Sequence, residues 1–165
     1  MTKIDLHQVD AFTTQLFGGN PAGVVTNADS LNKQDMQNIA REMNLSETAF
    51  VCTPSSGDAT LKLRFFTRSG DEVPFCGHAT VGALAQLAKL NLFNLGQAGT
   101  QAVRVETGIG VLDMEVANSD DTQIIFTAPP VTLEPYNLQG REFAEKLGIP
   151  VSYTHLRAHE TKANL

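Results

Sequence analysis

Three short stretches of the sequence bring together residue types that could do chemistry. The first is "PFCGHATVGA", where Cys76, Gly77 and His78 stand side by side ahead of a small-residue apolar run. A helix starting there exposes unpaired backbone N–H groups and the positive end of its dipole, a corner that binds carboxylates and other anions. Gly77 allows a ligand to approach the backbone closely. A cysteine at such a corner is expected to have a lowered pKa and to serve as an acid or base. His78 can transfer a proton or donate a hydrogen bond near neutral pH. The competing reading is a buried cysteine and a capping histidine at a tight turn, and the residues by themselves leave both open. A zinc site lacks a second Cys/His pair, so no metal is expected.

The second stretch is "NLSETAF". Glu47 falls at a loop-to-strand junction between Leu45 and Ala49. A carboxylate entering an apolar strand can have its pKa raised by burial, which suits a general acid or base. An exposed loop Glu or a cap partner explains the spacing as well, and Ser46 reads as a turn or cap residue. The third stretch is "GGNPAG". Asn20 is either a turn residue tolerating positive φ or a side-chain amide presented to a ligand.

The elements that must position these residues are legible in the hydrophobic pattern. Lys3 to Phe12 alternates Ile4, Leu6 and Val9 with polar residues, as a strand does. Gly18 to Pro21 signal a turn, and Ala22 to Val25 a short strand. "SLNKQDMQNIAREMN" reads as a helix capped by Ser30 or Asn32, with Leu31, Met36, Ile39, Ala40 and Met43 on one face and an end near Asn44. "SETAFVCT" and "TLKLRFFT" read as hairpin partners joined through a Pro-Ser-Ser-Gly-Asp turn. His78 to Leu90 is apolar nearly all round, which predicts a buried helix wrapped by strands. "TQAVRVETGIGVLDMEVAN" predicts two strands around a turn at Thr107-Gly108, "DTQIIFTAPP" one more, and "LQGREFAEKLGI" a further amphipathic helix. About seven strands and two or three helices imply an α+β fold, a curved mixed or antiparallel sheet around a central apolar helix.

Composition bounds the rest. At 165 residues, with 42% hydrophobic and 18% charged residues, the chain is long enough for one domain with a genuine core. A net charge of −6 without a basic block argues against nucleic acid. No apolar run approaches the ~18 residues of a membrane span, and the N-terminus lacks a signal-peptide apolar region. Two cysteines argue against a disulfide scaffold, so a cytoplasmic setting is expected. Residues 151–165, "VSYTHLRAHETKANL", have no apolar period. They resemble a translation of a sequencing-library adapter and are expected to be a non-native, disordered tail after a domain spanning 1–150. The four-residue spacing of His155 and His159 therefore carries no metal reading.

Together "DAFTTQLFGGNPAGVV", "MNLSETAF" and "RFFTRSGDEVPFCGHATVGA" resemble the PhzF-like isomerase family, named for phenazine biosynthesis. The last also resembles the cysteine-bearing segment of diaminopimelate epimerase. The resemblance runs from about Lys3 to Ile149 and covers the N-terminal half of a family member. It implies a diaminopimelate epimerase-like domain and cofactor-independent movement of a proton on a small carboxylate substrate. Glu47 is then the catalytic acid–base, with His78 beside it. The Gly77 to Ala79 backbone holds the substrate carboxylate, and Asn20 and Thr67 face the substrate. Cys76 stands at the position of the epimerase's base thiol and is either a spectator or a second proton-transfer group. A thiol-dependent amino-acid racemase and a non-catalytic binding domain are the alternatives. A family member cut to one half is expected to be inactive and to self-associate, as a homodimer or otherwise, through the face its second domain would cover.

Overall fold

The computed structural model describes residues 3–15 and 17–127. The helix expected over 138–149 and the tail at 151–165 lie outside the described residues. The order is β1 (Leu6–Ala11), β2 (Asn20–Val25), α1 (Lys33–Met43), β3 (Glu47–Cys52), β4 (Leu61–Thr67), β5 (Glu72–Val73), α2 (Gly77–Lys89), a 3-10 turn (Leu92–Asn94), β6 (Gly99–Thr107), β7 (Gly110–Asn118) and β8 (Thr122–Phe126). The eight strands form one mixed sheet in the order β1-β2-β3-β4-β6-β7-β8, with β5 attached to β4. β2–β3 and β4–β6 are parallel pairs, and the rest are antiparallel. Parallel neighbours need a crossover connection. α1 lies in the β2–β3 crossover and α2 in the β4–β6 crossover.

Period-two alternation decides which helix each residue meets. Ala22 and Val24, Ala49 and Val51, and Leu61, Leu63 and Phe65 pack with Ala79, Ala83, Leu84 and Leu87 of α2 in one core. The intervening Val25, Phe50 and Phe66 point to the opposite face and pack with Met36 and Ala40 of α1. The sheet therefore curves around α2 and carries α1 outside. α2 packs against β1, β2, β3, β7 and β8, so it touches both edge strands. The expected α+β fold, a curved mixed sheet around a central helix, is the one observed.

Of the two caps the sequence offered for the first helix the structure takes Asn32, in a reciprocal capping box with Asp35, and αL Asn44 ends the helix as expected. Three details differ from the sequence reading. β5 escapes an alternation search because it is two residues long, and it raises the strand count from about seven to eight. α2 is not enclosed all round. Val81 and Ala85 stay half-exposed and line a groove of about 690 Å³ between β1 and β8. Finally, Asn20 opens β2 instead of making the turn. The positive φ falls on Gly19 (69°), where a Cβ would run into the Ala11 carbonyl oxygen.

Candidate active site at the start of the central helix

The approach to α2 is anchored before the helix begins. The Phe75 ring packs edge-on between Phe65 of β4 and Phe126 of β8, with centroids 6.1 and 5.8 Å away. The Gly108 N–H donates to the Pro74 carbonyl at 2.9 Å. Cys76 then takes the extended N-cap conformation, and its carbonyl accepts from the Thr80 backbone N–H (3.0 Å) and hydroxyl (2.8 Å). The helix start is thus held from both sides. No acidic residue occupies the first turn of α2. The side of Gly77 where a Cβ would stand has nothing within 4 Å, so its backbone is open to a ligand.

His78 is the hub. Its Nδ1 lies 3.3 Å from Cys76 Sγ, and its Nε2 lies 3.3 Å from Ser46 Oγ and 3.5 Å from Glu47 Oε2. The imidazole is 11% exposed and the Glu47 side chain 23%, so the pair is shielded yet reachable. With its proton on Nε2, His78 can donate to Glu47 or Ser46 and accept from the Cys76 thiol. One line of exchangeable protons then runs from thiol through imidazole to carboxylate.

Glu47 is the first residue of β3 and faces the helix start because β3 alternation puts it on the same side as Ala49 and Val51. Thr67, the last residue of β4, is its direct cross-strand partner and shares that face. Its hydroxyl contacts Ser69 Oγ at 2.7 Å and accepts from the Asp71 N–H at 3.2 Å, in a turn closed by the Gly70 N–H to Thr67 carbonyl bond. Asn20 lies at the exposed start of β2, on the face shared by Ala22 and Val24. The fold thus brings Glu47, Cys76, Gly77, His78 and Ala79 together and sets Thr67 beside Glu47. Asn20 shares their face of the sheet, with no hydrogen bond linking it to them.

The structure corrects the cysteine expectation. Burial pushes the Cys76 thiol above its ordinary value, and Glu47 adds to this, while the Ala79 and His78 N–H groups pull the other way without winning. A helix start lowers a thiol pKa only where its dipole outweighs desolvation, and here desolvation dominates. Ser46 is the neighbour that sequence reasoning passed over. Its hydroxyl contacts His78 while its carbonyl accepts the Arg68 N–H at 3.3 Å. A serine after a helix end carries no signal separating that role from a turn.

A mixed half-barrel curled around one helix, with acid–base side chains at the helix start, defines an epimerase-like α+β domain. The family model described as phenazine biosynthesis-like protein, PhzC-PhzF, matches residues 9–152. A relative from Clostridium acetobutylicum, named an uncharacterized isomerase, is 46% identical over 127 residues, covering 76% of this chain and 40% of its own length. The crystal structure of a PhzF-family phenazine biosynthesis protein from Bacillus anthracis superposes with a TM-score of 0.73 at 32% identity, covering 92% of this chain and 49% of that one. The structure of a predicted epimerase from Pseudomonas aeruginosa shares the fold at 23% identity and a TM-score of 0.69, over 89% of this chain and 51% of that one. The chain belongs to the PhzC-PhzF family of phenazine biosynthesis-like proteins, whose members include isomerases, and spans about 40–51% of the length of these relatives.

Proposed function

We propose that the chain carries part of the active site of a cofactor-independent isomerase that moves a proton on a small carboxylate substrate. The observation that carries this reading is the Glu47–His78 contact at the open start of α2. A substrate carboxylate docks on the Gly77 to Ala79 N–H groups, where the helix dipole favours negative charge. That places the neighbouring carbon beside Glu47. Glu47 takes the proton from this carbon, breaking the C–H bond and leaving a delocalised carbanion. It then returns the proton to another carbon on the same face, so no electrons are gained or lost. His78 orients the carboxylate and stabilises its charge, and Asn20 and Thr67 contact the substrate. Cys76 is a spectator on this reading, because its raised pKa disfavours the thiolate a base requires. The alternative, a thiol-dependent racemase, draws on the 3.3 Å Cys76–His78 contact. A non-catalytic binding domain would have a plugged helix start, whereas Gly77 is open.

Since the chain spans only about half of its relatives' length, this reading makes it inactive by itself, and activity belongs to a chain of the family's full length. In such a chain, NMR of a panel of small carboxylates in D₂O should show deuterium entering one of them. Glu47→Gln should slow that exchange by about 10²–10⁴-fold, the usual worth of a general acid–base. Unchanged exchange would sink the assignment. Cys76→Ala should leave exchange intact, and its loss would favour the racemase.

A further inference from the structure

Glu47, Cys76 and His78 bring one carboxylate oxygen, one sulfur and one imidazole nitrogen within 4.8 Å of one another. We propose that these three side chains form a binding site for a borderline-soft divalent cation of the zinc type, with its fourth coordination position open to water. Sequence spacing pointed away from a metal because "CGH" supplies only two ligands and no second Cys/His pair follows. The fold supplies the third, Glu47, from the start of β3. The ion displaces the Cys76 thiol proton to solvent, and the thiolate so formed, with an imidazole, selects zinc or cobalt over magnesium or calcium, which prefer all-oxygen shells. Metal–ligand bonds of roughly 2.0–2.3 Å put tetrahedral ligand atoms roughly 3.3–3.8 Å apart. The 3.3 Å from His78 Nδ1 to Cys76 Sγ is already of that size, whereas Glu47 Oε2 makes its 3.5 Å approach to the other ring nitrogen, Nε2. One ring nitrogen serves one ion, so either the Glu47 carboxylate swings toward the thiol side or the imidazole turns. The partly exposed Glu47 side chain has room for the first. The open side of Gly77 admits the water that completes the shell.

Binding stands on this geometry alone. Its consequence, inhibition, rests on the isomerase reading, because the ion takes up the Glu47 lone pair that would accept the proton. The test titrates the whole chain with Co²⁺ under reducing conditions and follows the thiolate-to-cobalt charge-transfer absorption in the near ultraviolet. The expected result is a band that saturates at one cobalt per chain and is displaced by Zn²⁺. It should persist in Cys52→Ser and vanish in Cys76→Ser, with circular dichroism confirming that both variants fold. His78→Ala and Glu47→Gln should each weaken binding by at least the roughly tenfold that loss of even an outer-shell partner costs. No band, a band surviving Cys76→Ser, a band requiring Cys52, or undiminished affinity in either other variant would overturn the proposal. None of these results depends on deuterium exchange, so the site and the isomerase reading can fail separately.

Discussion

At the scale of single residues, the carboxylates divide by their partners. Glu47 meets a histidine and partial exposure. Glu106 of β6 instead accepts from the Ser55 and Ser56 N–H groups at 2.6 and 2.8 Å, from the Ser55 hydroxyl at 2.9 Å and from Lys62 Nζ at 2.8 Å. These donors, the Lys62 bond foremost, pull its pKa from 4.5 down to about 2. A depressed folded-state pKa means the charged form is the one the fold stabilises. That stability is complete above about pH 4.5 and is lost as pH falls through about 2. Glu106→Gln should therefore lower stability by roughly 1–3 kcal/mol at neutral pH, the scale of hydrogen bonds to a charged group. It should also flatten the acid limb between those two values. Urea unfolding at several pH values checks both, and an unaltered acid limb would remove Glu106 as its source. Cys52 behaves differently again: burial foremost, with Asp29 adding, pushes its thiol up to about 11. It should stay unreactive toward thiol reagents at neutral pH.

At the scale of elements, α2 holds both the core and the site. Leu84 and Leu87 are fully buried in the sheet's concave face, while the N-terminal turn of the same helix presents Gly77 and His78. Leu84→Ala should cost about 2–5 kcal/mol, the range for a large-to-small core substitution. The denaturation midpoint reads this, and a loss near zero would mean the core closes over the gap. The element's ends are positioned by different means. Phe75 pins the start by aromatic packing, whereas the far end runs to Leu90, whose N–H returns to the Gln86 carbonyl at 3.0 Å. α1 is placed by its caps and by two buried side chains, Met36 and Ala40, on the sheet's convex face. It delivers the chain to Ser46 and Glu47.

At the scale of the whole molecule, the described unit leaves apolar surface uncovered. Phe12 and Ile125, which line the groove between β1 and β8, are 69% and 50% exposed, and Phe17 is 98% exposed. Exposed aromatic surface of this kind drives association. The chain should sediment with a concentration-dependent average mass, and Phe12→Ser with Phe17→Ser should reduce it toward the monomer; a concentration-independent monomer would exclude association through this face. Among the described residues the sequence alone determined the order of the strands other than β5 and of the two helices, because period-two and helical alternation are written locally in Leu61, Leu63 and Phe65 or in Met36 and Ala40. It also singled out Cys76, Gly77, His78 and Glu47, since glycine and titratable residues at element ends are local signals. It could not show that β5 pairs with β4, that Ser46 reaches His78, or that Glu47 comes within 4.8 Å of Cys76 and His78, about thirty positions away. Those facts depend on two parallel crossovers and on the curvature of the sheet. The sign of the Cys76 shift was likewise decided by the tertiary structure, because the dipole at a helix start is a local property whereas desolvation depends on everything packed around it.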